Sequence, residues 1–224
     1  MSPTAPATGP PDGPDVRNPF FAWLYHHVLS RSETEPVVRA RRRLLDGLVG
    51  RIVEVGPGNG PNFKLYPASV DEVVAVEPEP YLRARAGEAA VKASVSVSVV
   101  GGDAEHLPVE GGSVDAVVMA LVLCSVPDQQ RALTEVRRVL RPGGELRVYE
   151  HVIAENPIAK AAQRAAQATF WPRAFGGCHP ARDTLAGLRT AGFDLSGVRR
   201  FVMRAGGEPP MPYILGSARL GDEQ

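Results

Sequence analysis

The sequence predicts an α/β fold built on a doubly wound, mostly parallel sheet. Short apolar runs alternate with helical stretches along most of the 224 residues, which is typical of parallel strands joined by helical crossovers. The last two apolar runs, 198–203 and 213–219, are separated by AGGEPPMP, which leaves no room for a helix. We therefore expect these two runs to pair antiparallel and to close the sheet as a hairpin.

The individual elements follow from the same patterns. Apolar runs of strand length predict five earlier strands, at 51–55, 73–76, 95–100, 116–121 and 145–150. Helical patterns predict a helix from about residue 18 and further helices over 36–48, 80–92 and 129–140. The last of these ends at RPGG, which is typical of a helix carboxyl end. Asp183 is expected to cap or open the helix that follows it.

Charge and cysteine content argue against a nucleic-acid-binding surface, a metal site and a disulfide framework. Lys and Arg number 25, and Asp and Glu also number 25, so the formal charge is +0. A protein that neutralises many phosphates of a nucleic acid is expected to be basic, and the single basic cluster, 39–43, is interpreted as a solvated helix face. Cys124 and Cys178 stand in no CxxC motif or Cys/His cluster. The sequence therefore predicts neither a metal site nor a disulfide framework.

The stretch EVGPGNGP at the end of the first strand is the main functional motif. Gly56, Gly58 and Gly60 allow a tight turn and a close approach of a ligand to the backbone. Pro61 is compatible with the first turn of a helix that the motif would open. A dinucleotide fingerprint needs G-x-G-x-x-G, and here the third glycine comes one position early, so a pyrophosphate is a poor fit.

Two acidic residues end the next two strands. Glu77 lies 21 positions after Gly56, where a carboxylate can accept both hydroxyls of a ribose. Asp103 follows the run SVSVSVV and can accept a hydrogen bond from the exocyclic amine of adenine. One ribose, one adenine and no diphosphate describe a nucleoside with a polar tail.

Five ordered segments resemble the successive motifs of class I S-adenosylmethionine-dependent methyltransferases: EVGPGNG, AVEP, GDAEHLP, SVDAVVMALVLCSV and EVRRVLRPGGEL. The resemblance runs from about residue 43 to residue 147. It implies a Rossmann-like, seven-stranded sheet whose last strand is antiparallel. It also implies S-adenosylmethionine as the cofactor and S-adenosylhomocysteine as the product.

The same resemblance assigns roles around the cofactor. The glycine turn would lie at the methionine part, Glu77 at the ribose and Pro78 on the adenine, while backbone groups near Ala120 would meet the amino group. Asp103 and Ala104 would read the adenine edge. The full set of expected cofactor-binding residues is Glu54, Gly56, Gly58, Gly60, Asn62, Glu77, Pro78, Asp103, Ala104 and Ala120.

The second half of the chain resembles the thiol S-methyltransferases of the methyltransferase-like type. It does so through LVLCSV, EHV and the GC of FWPRAFGGCHPARDT, whereas many quinone-ring C-methyltransferases carry paired histidines in place of Cys124 and Ser125. The sequence differs from the membrane-anchored members of that type at the amino end, because it shows no counterpart of their apolar leader. It implies a small-molecule acceptor, most directly a thiol.

The chemistry of thiol methylation suggests a pocket. Attack of a thiolate on a sulfonium neutralises both charges, so an apolar, water-excluding pocket suits the reaction. His151, after the fifth strand, is the candidate for proton removal or substrate orientation. The expected substrate-binding residues are the roof Phe20, Trp23 and Tyr25 and, from the floor, Cys124 and Trp171.

Each of these residues also has a plainer interpretation. His151 can hold a loop by hydrogen bonding, and Cys124 can be a small core residue. The segment Cys178–His179 fits a structural or lid loop, and the stripe Phe20, Trp23 and Tyr25 can be ordinary core. At the level of function, the alternatives are C-, O- or N-methylation of a quinone, phenol or lipid head group, or cofactor binding without turnover.

The chain divides into a leader and one domain. Residues 1–17 are rich in Pro and Gly and are expected to be a disordered leader, and 18–224 to form a single methyltransferase domain. Within it we expect an N-terminal helical lid at 18–49, a cofactor-binding core at 50–150, and substrate-side helices with the closing hairpin at 151–224. NPFFAWLYHHVLS is too short to span a bilayer, so we expect a cytoplasmic protein without a transmembrane segment. The Ala-, Gly-, Pro- and Arg-rich composition fits specialised metabolism in a high-GC bacterium.

Overall fold

The computed structural model describes residues 18–29, 34–204 and 210–221. The predicted leader at 1–17 lies outside these residues. The strands are β1 (Gly50–Val55), β2 (Val70–Val76), β3 (Ser96–Val100), β4 (Val114–Ala120), β5 (Leu140–His151), β6 (Phe193–Asp194), β7 (Val198–Met203) and β8 (Met211–Leu220). The α-helices are α1 (Pro19–Leu24), α2 (Glu35–Leu45), α3 (Pro80–Ala90), α4 (Gln129–Val139), α5 (Pro157–Ala168), α6 (Trp171–Ala174) and α7 (Thr184–Thr190).

The strands form one sheet in the order β3-β2-β1-β4-β5-β8-β6, with β7 also paired to β8. The first five strands are parallel, and β8 runs antiparallel to β5. Both β6 and β7 pair with the free edge of β8, at opposite ends of it. The eight strands therefore fill seven positions, which confirms the predicted mostly parallel sheet and its antiparallel closing hairpin.

Alternation along the strands places two apolar cores on the two faces of the sheet. In β1, Val53 and Val55 belong to one core and Ile52 to the other. The same alternation holds in β4, where Val117 and Ala116 face opposite cores. Side chains buried on both faces explain why these strands are continuous apolar runs, as is usual in parallel sheets.

Capping residues set several helix starts. Asp128 accepts hydrogen bonds from the amides of Gln130 and Arg131, at 2.9 and 3.1 Å, and so begins α4. Asp183 accepts from the Ala186 amide at 3.0 Å and begins α7, as predicted. Such caps stabilise a helix by about 1 kcal/mol each.

One predicted helix is wrong. The chain after the glycine turn forms a single 3₁₀ turn, Phe63–Leu65, and no α-helix. The side chain of Asn62 bonds to Glu54 beneath the turn, and Pro67 follows four residues after Phe63. A helix cannot extend past that proline without losing a backbone hydrogen bond, so the connection to β2 stays short. The predicted helix over 36–48 also ends earlier, at Leu45.

Candidate active site

The three glycines of the turn after β1 all adopt left-handed backbone conformations. The φ angles of Gly56, Gly58 and Gly60 are 61°, 62° and 78°. A Cβ atom at Gly56 would lie 2.8 Å from the side chain of Val122, and one at Gly58 would lie 2.8 Å from the ring of Tyr25. Side chains are therefore excluded by conformation and by space, and bare backbone is presented at the carboxyl edge of the sheet.

A buried polar network fixes this turn from below. Glu54 accepts hydrogen bonds from Asn62 Nδ2 and from the Tyr66 hydroxyl, both at 2.8 Å. Arg41 Nη1 donates to Asn62 Oδ1 at 3.1 Å. Burial raises the pKa of Glu54, and burial with the neighbouring Glu54 raises the pKa of Tyr66 well above its usual range. The contacts described for Glu54 and Asn62 stabilise the turn, and direct contact of either with the cofactor stays a prediction.

Glu77 joins the end of β2 to the glycine turn. Its Oε2 accepts from the Gly58 amide at 2.8 Å, and its Oε1 accepts from the Glu79 amide at 3.1 Å. Burial raises its pKa to about 7, although the two amide hydrogen bonds act in the opposite direction. Each carboxylate oxygen has a second lone pair, so a ribose diol can still donate to it. Pro78 follows, half-buried, on the expected adenine side.

Asp103 and Ala104 follow β3, the neighbour of β2 at this edge. Asp103 Oδ1 accepts from the Glu105 amide at 2.8 Å and lies 3.4 Å from His106 Nδ1. Ala104 is buried. The ends of β1, β2 and β3 thus place the glycine turn, Glu77 and Asp103 along one edge of the sheet, as the motif spacing predicts. We call it the cofactor edge, because the cofactor is predicted to bind there.

The loop after Ala120 is held by a carboxylate that the sequence analysis missed. Glu150, fully buried, accepts from the amides of residues 122 and 123 at 2.8 and 2.9 Å and from that of 124 at 3.3 Å. Leu121 begins this loop with a φ of 64°, which turns the following amides toward one point. Burial raises the pKa of Glu150 well above its usual range. A glutamate inside the apolar end of a strand was the signal that could have revealed it.

Three sulfur and imidazole groups come together beside that loop. Ligand atoms of Cys124, His151 and Cys178 all lie within 4.8 Å of one another. His151 Nδ1 is 3.8 Å from Cys178 Sγ, and His151 Nε2 is 2.9 Å from the hydroxyl of Tyr213. The hydrogen bond with Cys178, together with burial, raises the pKa of the Cys124 thiol well above its usual range. The sequence contains no local Cys/His motif, so it is the fold that brings these three side chains together.

Aromatic side chains lie next to the cluster of Cys124, His151 and Cys178. Trp171 is 9% exposed, and its ring centroid lies 4.4 Å from that of Phe175. Trp171 belongs to the apolar core that includes Cys124 and Cys178, and the partly buried Phe175 packs against that core. Trp171 Nε1 is buried and has no hydrogen-bond partner among the described residues. Its N–H is therefore available to an acceptor group on a ligand.

Two of the three residues of the predicted aromatic roof are largely exposed to solvent. Phe20 and Trp23 point outward and are 71% and 53% exposed. The neighbouring Phe21 instead faces inward and contacts Gly176 near the cysteine cluster, while Tyr25 covers Gly58. The chain changes from α1 to a π-helical turn at Tyr25–Leu29, and sequence periodicity alone could not set which residues face the sheet.

The π-helical turn also contacts the cofactor edge through two histidines. His26 Nδ1 lies 3.2 Å from Asn59 Nδ2 in the glycine turn, and His27 Nε2 lies 3.1 Å from the Tyr81 hydroxyl in α3. The amino-terminal segment thus reaches both the cofactor edge and, through Phe21, the cysteine cluster.

Comparison with known proteins agrees with this geometry. Residues 53–148 match the family model described as a methyltransferase domain. The human thiol S-methyltransferase TMT1A is 36% identical over 171 residues, which are 75% of this chain and 69% of TMT1A. The human thiol S-methyltransferase TMT1B is 34% identical over 215 residues, 89% of this chain and 85% of TMT1B. A SAM-dependent methyltransferase structure from Aquifex aeolicus superposes with a TM-score of 0.59 at 17% identity, covering 91% of this chain and 99% of that one.

The fold and the cofactor edge define a class I methyltransferase, an enzyme whose cofactor is S-adenosylmethionine. Within that class, the chain belongs to the family of human TMT1A and TMT1B. Across residues 18–29, 34–204 and 210–221, no helix combines the length and apolar character needed to cross a bilayer.

Proposed function

We propose that this methyltransferase transfers the methyl group of S-adenosylmethionine to the sulfur of a small thiol. The observation that carries the proposal is the acceptor end of the site, where Cys124, Cys178 and His151 meet next to the aromatic side chains of Trp171 and Phe175. The two human relatives named as thiol S-methyltransferases support the same acceptor.

The surroundings suit a reaction that neutralises charge. In the in-line displacement the thiolate sulfur forms a bond to the methyl carbon while the bond from that carbon to the sulfonium breaks. The electron pair of the broken bond stays on the sulfur of S-adenosylhomocysteine, so an anion and a cation become two neutral products. A low-dielectric pocket raises the energy of the separated charges more than that of the transition state, in which they are partly neutralised.

The roles of the described residues follow from this displacement. The glycine turn and Glu77 would hold the cofactor, and the loop fixed by Glu150 would set the position of the methyl group. His151, whose ring is held by the Tyr213 hydroxyl at 2.9 Å, would receive the proton of the thiol or orient its sulfur. A thiol needs only modest help to ionise, whereas an alcohol needs a much stronger base.

A matched set of acceptors tests the proposal. 2-Mercaptoethanol, ethanolamine and ethylene glycol differ in one nucleophilic atom, so each is incubated with purified protein and S-adenosylmethionine. We expect S-adenosylhomocysteine release and a methyl thioether, identified by mass spectrometry, with 2-mercaptoethanol alone. Equal release with all three, or turnover confined to quinols, phenols or amines in a wider screen, would contradict the thiol assignment.

A further inference from the structure

The spacing of the cysteine cluster fits a tetrahedral metal ion. Zinc bonds to sulfur at about 2.3 Å and to nitrogen at about 2.0 Å, so two of its ligand atoms are roughly 3.5 to 3.8 Å apart. Cys178 Sγ and His151 Nδ1 are 3.8 Å apart, and all three candidate atoms lie within 4.8 Å of one another. Movements of about 1 Å or less would therefore bring Cys124, His151 and Cys178 to bonding distance.

The histidine is oriented as a metal ligand would be. A ligating imidazole commonly donates its other ring N–H to a fixed acceptor, which sets the tautomer. Here His151 Nε2 faces the Tyr213 hydroxyl at 2.9 Å, so the tautomer that donates from Nε2 directs the Nδ1 lone pair toward the sulfurs. The Tyr213 ring is buried between the stacked rings of Tyr149 and Phe201, at 5.4 and 5.9 Å, so the acceptor is held firmly.

The charge of such a complex suits its burial. Cys124 is 1% exposed and Cys178 is 6% exposed, and burying two thiolates without a cation would cost several kcal/mol. A divalent cation with two thiolates and a neutral imidazole has no net charge. Soft sulfur ligands with imidazole select zinc and similar metals over magnesium or calcium.

We propose that Cys124, His151 and Cys178 form a zinc-type site whose fourth coordination position is open to the acceptor. Three protein ligands with one open position are the arrangement of catalytic zinc, whereas structural zinc sites have four protein ligands. His151 is partly exposed, whereas both cysteines are buried, so the histidine is the member of the cluster that solvent reaches most easily.

The role of the open position rests on the proposed function. A thiol that binds there gives up its proton to solvent and becomes a zinc-bound thiolate. That sulfur then bonds to the methyl carbon while the bond from that carbon to the sulfonium breaks, with no change in the oxidation state of the metal. The products are a thioether, S-adenosylhomocysteine and the released proton. His151 acts in this account as a metal ligand, and it need not be a base.

Cobalt(II) is a direct probe, because its absorption reports the ligands. Reduced protein titrated with Co²⁺ should show one equivalent of thiolate-to-cobalt charge-transfer absorption with visible bands of tetrahedral geometry, and Zn²⁺ should displace it. C124S, C178S and H151Q should each change the spectrum and weaken binding. H179Q, at a neighbouring histidine outside the cluster, should match the wild type.

Y213F provides a graded test, since it keeps the ring and removes the partner of His151 Nε2. Losing such a partner weakens metal affinity by about 10- to 100-fold. S-adenosylhomocysteine binding, measured on every variant, shows that the fold is intact, since the cofactor edge lies outside the cluster. A reduced wild-type protein that gives no charge-transfer band, or a band that survives C178S, would overturn the site, as would cysteines that only form a disulfide with each other.

The open position has its own readout, which needs no methyl transfer. 2-Mercaptoethanol added to the cobalt-loaded protein should shift the visible bands, and ethylene glycol should not. An unchanged spectrum would contradict the open position. Full thioether formation by protein freed of metal with a chelator would leave the proposed function standing and would overturn the part assigned to the metal.

Discussion

The cofactor edge and the proposed acceptor end of this site are built in different ways. At the cofactor edge, the glycine turn, Glu77 and Asp103 each follow directly from the end of one strand. At the acceptor end, Cys124, His151 and Cys178 come from a loop, a strand end and a turn that span 55 positions of the chain. The first region depends on local backbone conformation, and the second depends on how distant elements pack together.

The largest effect is expected from G58A, at the centre of the cofactor edge. The new Cβ would occupy a left-handed position 2.8 Å from the Tyr25 ring, in the turn that is predicted to bind the cofactor. We expect S-adenosylhomocysteine to bind at least about 30-fold more weakly by calorimetry, a loss of about 2 kcal/mol. G47A is the matched control, because Gly47 has a similar φ of 73° with open space around its Cβ position. G47A should lower the free energy of unfolding by about 1 kcal/mol and leave binding unchanged. Equal affinities of G58A and G47A for S-adenosylhomocysteine would contradict cofactor binding by the glycine turn.

E77Q should have the next largest effect. Glu77 accepts from two backbone amides, and a glutamine would have to turn its NH₂ donor group toward one of them. We expect about tenfold weaker S-adenosylhomocysteine binding by the same measurement. E72Q changes a glutamate of β2, the strand that precedes Glu77. Glu72 is paired with Arg51 at the surface, and the variant should bind as the wild type does. If E77Q bound S-adenosylhomocysteine as tightly as the wild type does, the assignment of Glu77 to the ribose would be contradicted.

The pH dependence sharpens the assignment of Glu77. In the proposed site, ribose hydroxyls donate to the ionised carboxylate of Glu77, whose pKa in the cofactor-free protein is raised to about 7. Affinity should therefore fall below pH 7, by up to about tenfold per pH unit, and level off above pH 8. E77Q should flatten this part of the profile, and a wild-type profile unchanged between pH 6 and 8 would contradict the role.

Stability should change with pH in the opposite direction. A carboxyl whose pKa is raised from 4.5 to about 7 holds a proton in the folded chain that the unfolded chain has released. Its contribution to stability is present below pH 4.5 and is lost as the pH rises through about 7. S-adenosylhomocysteine should thus raise the melting temperature more at pH 8 than at pH 6. The buried Glu54 and Glu150 also have raised pKa values, so E77Q identifies the share that belongs to Glu77.

The smallest effect separates two adjacent phenylalanines. Phe21 contacts Gly176 beside the cysteine cluster, whereas Phe20 is 71% exposed. F21A should raise the KM for the thiol about fivefold, equivalent to about 1 kcal/mol of lost contact, and F20A should stay within twofold. Steady-state kinetics with 2-mercaptoethanol measure the KM of both variants. Equal changes in KM would contradict a specific contact between Phe21 and the thiol pocket.

The sequence predicted the positions of the residues along the cofactor edge, but not the contacts among Cys124, His151 and Cys178. Alternating apolar runs and glycine turns are local, so the sheet, its hairpin and the positions of Glu77 and Asp103 could be predicted from spacing. Cys124 and Cys178 lie close together because the turn after α6 packs against the loop after β4. The His179 amide donates a hydrogen bond to the Cys124 carbonyl there, at 2.8 Å. No local pattern reports such a contact.

The most direct measurement of the central claim follows the methyl group itself. S-adenosylmethionine carrying ¹³C in its methyl group is incubated with the wild-type protein and 2-mercaptoethanol, and the product is read by NMR. We expect the label in an S–CH₃ group, and about tenfold less of it when E77Q replaces the wild-type protein at limiting cofactor. Label that stays on S-adenosylmethionine, or that appears on the oxygen of 2-mercaptoethanol, would contradict methyl transfer to sulfur.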